Sequence, residues 1–189
     1  MRYSTAAILI ATALMILGCR TVTGPGGQPI DQNLIANSSF EQNGSPSIAG
    51  WQQSFPDTGV IHYSTDVPPG GGSYSLALNN QWGPLPQLQT FVAASPGIHR
   101  YQATLWSKVL PSVPYSVASG GLRIIHKRAD TLVYRKTMFF GDSTWTEHSL
   151  LDTITTQPGD SLAISLAGGQ TQWSFGLTLF DLVRFLKLD

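Results

Sequence analysis

The sequence predicts an all-β protein, an antiparallel β-sandwich, on three observations. Beyond residue 33 no stretch carries a sustained helical period, whereas short runs of β-branched and aromatic residues recur. Gly and Pro, 19 and 12 of 189 residues, exceed average usage and fall between those runs, where turns belong. Roughly ten runs follow one another with no crossover helix between them, which argues against a parallel sheet.

The runs are taken in chain order. Val60-Ile61-His62-Tyr63 is the first. In residues 73–78, Tyr74, Leu76 and Leu78 alternate with Ser73, Ser75 and Ala77, the period of a half-buried strand. Residues 88–92 follow, then Ser95-Pro96-Gly97 as a turn and a long strand over 100–106. Residues 122–127 and 131–140 read as a hairpin around Arg128-Ala129-Asp130. Strands over 145–151, 161–166 and 175–188 complete the series, and no internal repeat is visible.

Composition narrows the function classes. Eleven basic residues balance eleven acidic ones, so no surplus of cations is available to neutralise phosphates, and nucleic acid is excluded as a partner. Only 12% of residues are charged, but 42% are hydrophobic, ample for a core. One cysteine excludes an internal disulfide and any multi-cysteine metal site.

That cysteine sits where an anchor needs it. Residues 6–17 are apolar except for Thr12, and as a helix they span about 18 Å, short of a hydrocarbon core of roughly 30 Å. A signal peptide fits better than a transmembrane helix. Ile16-Leu17-Gly18-Cys19 resembles a bacterial lipobox, which implies cleavage after residue 18, acylation of Cys19 and a membrane attachment through lipid. Residues 19–32 then read as a tether, with Gly24-Pro25-Gly26-Gly27 and Pro29. Arg20 stands where an inner-membrane retention signal would place Asp, which points to the outer membrane of the cell envelope. The expected organisation is leader 1–18, lipidated tether 19–32 and sandwich 33–189.

Residues 33–41, Asn-Leu-Ile-Ala-Asn-Ser-Ser-Phe-Glu, with Gly50-Trp51 ten residues on, resemble the opening of carbohydrate-binding modules of the cellulose- and xylan-binding type. Residues 72–78, Gln89-Thr90 with Pro96-Gly97 and 101–108, and Phe180-Asp181 with Val183 fit the same pattern in order. The resemblance implies a jelly roll of the galactose-binding-like superfamily and non-catalytic polysaccharide binding. It also implies a structural calcium held by Glu41 and Asp181, since such ions take six to eight hard oxygen donors. Leu182 replaces the second aspartate of the closing pair. The plainer reading of Glu41 and Asp181 is a capped turn and a surface acid.

Two segments of similar make-up, Asn79-Asn80-Gln81-Trp82 and Gln170-Thr171-Gln172-Trp173, offer amides that donate and accept, and indoles on which a pyranose stacks. In the resembling fold both reach one rim. The competing reading makes both tryptophans plugs of the core. Trp51 and Trp145 read as core, whereas Trp106 shares its parity with Gln102, Thr104 and Lys108 and could face a ligand. Arg123, His126, Lys127, Arg128, Arg135 and Lys136 read as solvated, edge-protecting charges rather than an anion site.

No catalytic constellation emerges. Gly141-Asp142-Ser143 resembles the nucleophile block of GDS-type ester hydrolases, but no Asp-x-x-His follows and the block reads as a turn. Glu147 and His148 are adjacent in a strand and point to opposite faces, so they form no catalytic pair. The sequence thus predicts a lipid-anchored, non-enzymatic glycan binder, neutral polysaccharide first, with contact to a protein partner as the alternative.

Overall fold

The computed structural model describes residues 32–54, 60–80, 86–111, 118–169 and 176–189, and the statements below concern these. They form twelve strands: β1 (Glu41–Gln42), β2 (Ser45–Pro46), β3 (Gln52–Gln53), β4 (Ile61–Ser64), β5 (Ser75–Asn80), β6 (Gln87–Ala93), β7 (Gly97–Pro111), β8 (Gly120–Arg128), β9 (Thr131–Phe140), β10 (Thr146–Thr156), β11 (Asp160–Ala167) and β12 (Gly176–Lys187). No helix occurs among them, so none is long and apolar enough to cross a membrane.

Two five-stranded sheets, all pairs antiparallel, make the sandwich. The first runs β10-β7-β12-β5-β4 and the second β3-β6-β11-β8-β9, with β1 and β2 as a separate ribbon. Inward positions alternate along each strand and meet in one core. Leu76, Leu78, Leu105, Phe180 and Phe185 come from the first sheet and Leu88, Leu122, Ile124, Leu162 and Ile164 from the second. Phe40 and Trp51 close one edge, their rings 5.2 Å apart. Trp51 is core, as predicted, whereas Trp145 is only half-buried and donates its indole N–H to Asp66 at 2.8 Å.

The predicted runs all appear, with revised ends. Gly97 begins β7 instead of closing a turn, because β10 pairs with it down to Thr156. The hairpin turns on Ala129 and Asp130, both left-handed at φ 44° and 66°, the conformation that suits the twist of paired strands. The charges of that hairpin are not one solvated group. His126 turns inward, 2% exposed, Arg123 is buried on the opposite face, and Lys136 crosses to the carbonyl of Leu151 on β10. The reason is strand alternation: neighbours in sequence go to opposite sides of the sheet.

Candidate functional site

The rim comes first. Asn80 and Pro111 are both register partners of Gly176, so β5, β7 and β12 share one end of the first sheet, and there the chain crosses to or from the second sheet. Gln81, Trp82, Gln170, Thr171, Gln172 and Trp173 fall in two of those crossings and lie outside the described residues, as does Cys19. Asn79 is half-buried beside Leu177 on the outer side of the first sheet. Asn80 continues the inward parity of Leu76 and Leu78 and is 1% exposed, so its amide is not on the ligand-facing surface that the sequence suggested. Trp106 pairs with Asp181, five positions along β12 from Gly176, or about 17 Å from the rim. It therefore lies away from that end of the first sheet.

The outer face of the second sheet was missed by the sequence reading. Its central strand, β11, points inward with Leu162, Ile164 and Leu166 and outward with Ser161, Ala163, Ser165 and Ala167. Ala163, Ser165 and Ala167 on the middle strand are fully buried even so, because longer side chains stand on both sides and cover them. Gln89 and Arg123 flank Ser165, and Phe91 and Ile125 flank Ala163. Gln52 extends the row beyond Gln89, and Arg135 stands beyond Ile125. Lys127 lays its ammonium 4.9 Å from the centre of the Phe91 ring. The neighbours of Arg123 across the sheet, Ser165 and Thr137, carry no charge. Burial lowers its pKa, and the nearby Arg135 charge adds to the effect. The accessible parts of this row, the half-buried Gln89 amide and the exposed Phe91 ring, are a polar and an apolar element of the kind a sugar site combines. The signal in the sequence was Ser161-Leu162-Ala163-Ile164-Ser165-Leu166-Ala167, in which every outward residue is small.

The outer face of the first sheet carries the Trp106 locality. Trp106 is half-buried between Glu147 on β10 and Asp181 on β12. It lines an open pocket of about 300 Å³ with Asn33, Ser38, Glu147, Leu182 and Arg184. His148 points the other way and stacks on Phe140 at 4.3 Å, so Glu147 and His148 share no site.

Glu41 and Asp181, 140 positions apart in sequence, converge on one glycine turn. A β-carbon at Gly71 would stand 2.6 Å from Asp181 Oδ2, and one at Gly72 would stand 2.4 Å from Glu41 Oε1. Asp181 is fully buried; Oδ1 accepts from the Leu182 N–H at 2.7 Å, and Oδ2 has no hydrogen-bond partner. Burial pushes this carboxyl up to about 7 against the pull of that N–H, and the Glu41 charge pushes the same way. Glu41 accepts from the Tyr74 N–H. Two convergent carboxylates, one with an unpartnered buried oxygen, beside glycine backbone, fit a hard cation. No group of three or more His, Cys, Asp or Glu side chains occurs among the described residues, so further donors would be backbone carbonyls or water.

No protein-family model matches the chain, and no curated protein matches it. Solved structures do. Module TmCBM61, in complex with β-1,4-galactotriose, aligns with a TM-score of 0.56 at 15% identity over 83% of this chain and 99% of its own. The fold is that of carbohydrate-binding modules. A family 16 carbohydrate-binding module aligns at 0.54 and 20% identity over 82% of this chain and 99% of its own. The enzymatically active domain of bacteriophage CBA120 tailspike protein 4 aligns at 0.58 and 18% identity over 82% of this chain. This chain spans only 21% of that one, so the shared part is the sandwich. Identities this low establish architecture, and architecture alone assigns no activity.

Proposed function

We propose that the domain binds polysaccharide without catalysis and holds the chain along the outer face of the second sheet. The observation that carries this reading is the grouping on this face of the Gln89 amide, the exposed Phe91 ring and Lys127, whose ammonium lies 4.9 Å from the ring centre. An open sheet face suits the interior of a chain, with a ring on exposed Phe91 and hydroxyls on the half-buried Gln89 amide. The likeness to modules of the same fold, one of them solved with a galactan fragment, supports it. Trp82 lies five residues before β6 and Trp173 six after β11, and the reading keeps both as stacking residues for the same chain.

The test is a glycan array with neutral and uronic-acid chains, probed with residues 24–189. Wild type binds, and Gln89→Ala/Phe91→Ala loses at least tenfold in affinity while its melting curve stays within a few degrees. Trp82→Ala/Trp173→Ala loses binding in the same way. Failure of wild type to bind any glycan would sink this reading in favour of a protein partner.

Two further parts belong to the proposal. Glu41 and Asp181 hold a structural calcium whose charge offsets the burial that raises the Asp181 carboxyl. Cys19 is the acylated residue after a leader of 18, so that the sandwich is displayed on a tether from the outer membrane. Metabolic labelling with an alkyne fatty acid tests this last part: label on wild type and none on Cys19→Ser is the expected result.

A further inference from the structure

We infer that the polysaccharide held on the outer face of the second sheet is acidic, a chain whose uronic-acid carboxylates sit against Arg135 and Lys127, over the buried charge of Arg123. The inference rests on the glycan reading of that face and names the class of chain. It starts from the charges of the sheet. The five strands carry Arg123, Lys127, Arg128, Arg135 and Lys136 against a single acid, Asp160. Asp160 is taken by Arg128 at 2.8 Å, and Lys136 reaches across to Asp152 of the first sheet at 3.4 Å. Arg123, Lys127 and Arg135 have no carboxylate at ion-pair distance among the described residues.

Strand alternation puts these three on one side. Arg123, Ile125 and Lys127 share the outer side of β8, and Arg135 is the register partner of Ile125. Ile125 thus stands among three cations, with Arg135 diagonal to Arg123 at about 7–8 Å across the strands. Arg123 is 7% exposed, and burial and the Arg135 charge both work against its cation. Ser165, beside it on β11, leaves its hydroxyl without a partner, so the guanidinium is not spent on that neighbour. A buried cation beside a second cation lacks the compensation that Asp160 gives Arg128. A carboxylate docked on exposed Arg135 supplies it from outside, through the forked, charge-assisted bonds that a guanidinium makes. Lys127 does the same work on the other side of β11. Its ammonium lies 4.9 Å from the centre of the Phe91 ring, so a sugar packed beside that ring has a cation in reach of its carboxylate.

The two outer faces differ in ways that favour this one for a long chain. The middle strand of the second sheet, β11, pairs on both sides without a shift of register. The middle strand of the first, β12, steps between Asp181 and Arg184, with residues 33–38 stitched in beside the step. Leu34 N donates to Phe185 O and Val183 N to Ser38 O there, each at 2.8 Å. On that sheet Lys108 already has its acid, Asp66, at 2.6 Å. Three cations are also fewer than the roughly four to eight that mark a surface for anionic lipid, and they share their face with an amide and a ring. An acidic glycan suits that set better than a layer of headgroups.

The experiment is a calorimetric titration of the full chain in a zwitterionic detergent. The probes are oligomers of galacturonate, alginate and hyaluronan, each beside its carboxyl-reduced form, and glycerol phosphate as the soluble headgroup of anionic lipids. The expected result is that at least one acidic oligomer binds at least tenfold more tightly than its reduced form. Arg135→Gln, at an exposed position, lowers that preference at least threefold, and Arg135→Gln/Lys127→Gln cancels it with a melting curve within a few degrees of wild type. Lys108→Gln keeps it. Equal affinity for the acidic and reduced forms overturns the inference and leaves the glycan reading standing, as does binding to reduced chains alone. A preference that survives in the double variant overturns it too. Glycerol phosphate bound as tightly as any oligomer, and lost in the double variant, would make the face a headgroup surface instead. Binding to no chain of either kind removes both readings.

Discussion

Two aspartates lie fully buried in this sandwich and live in opposite circumstances. Asp160, at the start of β11, accepts from His126 at 2.7 Å, from Arg128 at 2.8 and 3.0 Å, and from the Gln157 N–H at 2.8 Å. The Arg128 guanidinium above all holds its carboxyl well below the usual range. Asp181, at the step in β12, receives one N–H on one oxygen and nothing on the other, and burial drives it up. Both are hidden from solvent, so burial alone does not separate them. The separation comes from whether the protein supplies its own partners. Where it does, the acid is a fastening; where it does not, the acid keeps an unpartnered oxygen, to which the proposal assigns a cation.

The comparison breaks most visibly at Asp160. Asp160→Ala strands His126 and Arg128 and should lower Tm by on the order of 10 °C in scanning calorimetry. Its linkage to pH has a definite sign. Because the folded carboxyl titrates below the unfolded one, the unfolded chain takes up the proton first. The stabilisation is present above about pH 4 and is lost as pH falls below it, and Asp160→Asn should flatten that acid limb.

Asp181 should behave in reverse. Without divalent cations, Asp181→Asn removes a carboxyl whose Oδ2 is unpartnered and should leave Tm within about 2 °C of wild type, or raise it. Calcium at a hundredfold excess over Kd stabilises a folded state by about 2.7 kcal/mol, a Tm gain of roughly 5–10 °C for a chain of this size. Wild type should show that gain, and Glu41→Gln and Asp181→Asn should not. An equal gain in either variant would place the ion elsewhere, and no gain in wild type would remove it.

The smallest effect serves as a control in the Asp160 corner. Ala129 sits left-handed at φ 44° next to Arg128. Ala129→Asn suits that backbone better and should stabilise by about 0.5 kcal/mol in a urea titration, with the acid limb unchanged. A changed limb would mean that the hairpin turn, and not Asp160, sets it.

The strands were legible because alternation is a local property: residues 122–140 announce a hairpin and 161–167 a strand without any partner in view. What the partners decide was not. His126 and Arg128 read as surface cations until Asp160, more than 30 residues away, is found between them. Asn80 read as a loop amide because the strand's last residue looks polar, whereas its parity carries it into the core. Trp106 was legible as outward-facing from parity alone, but its pocket depends on a step in β12 and on a wall from residues 33–38. Glu41 and Asp181 came together only through resemblance, since nothing in their spacing predicts contact.

The stitching of residues 33–38 to β12 also makes the domain nearly a closed ring. Leu34 and Phe185 are one hydrogen bond apart, so the stretch before β1 and the last strand stand side by side. A short linker could join them and a new opening be cut at the exposed turn of Ala129 and Asp130 without crossing the core. A module whose ends meet can be spliced into a surface loop of another protein as readily as it can be hung from a tether.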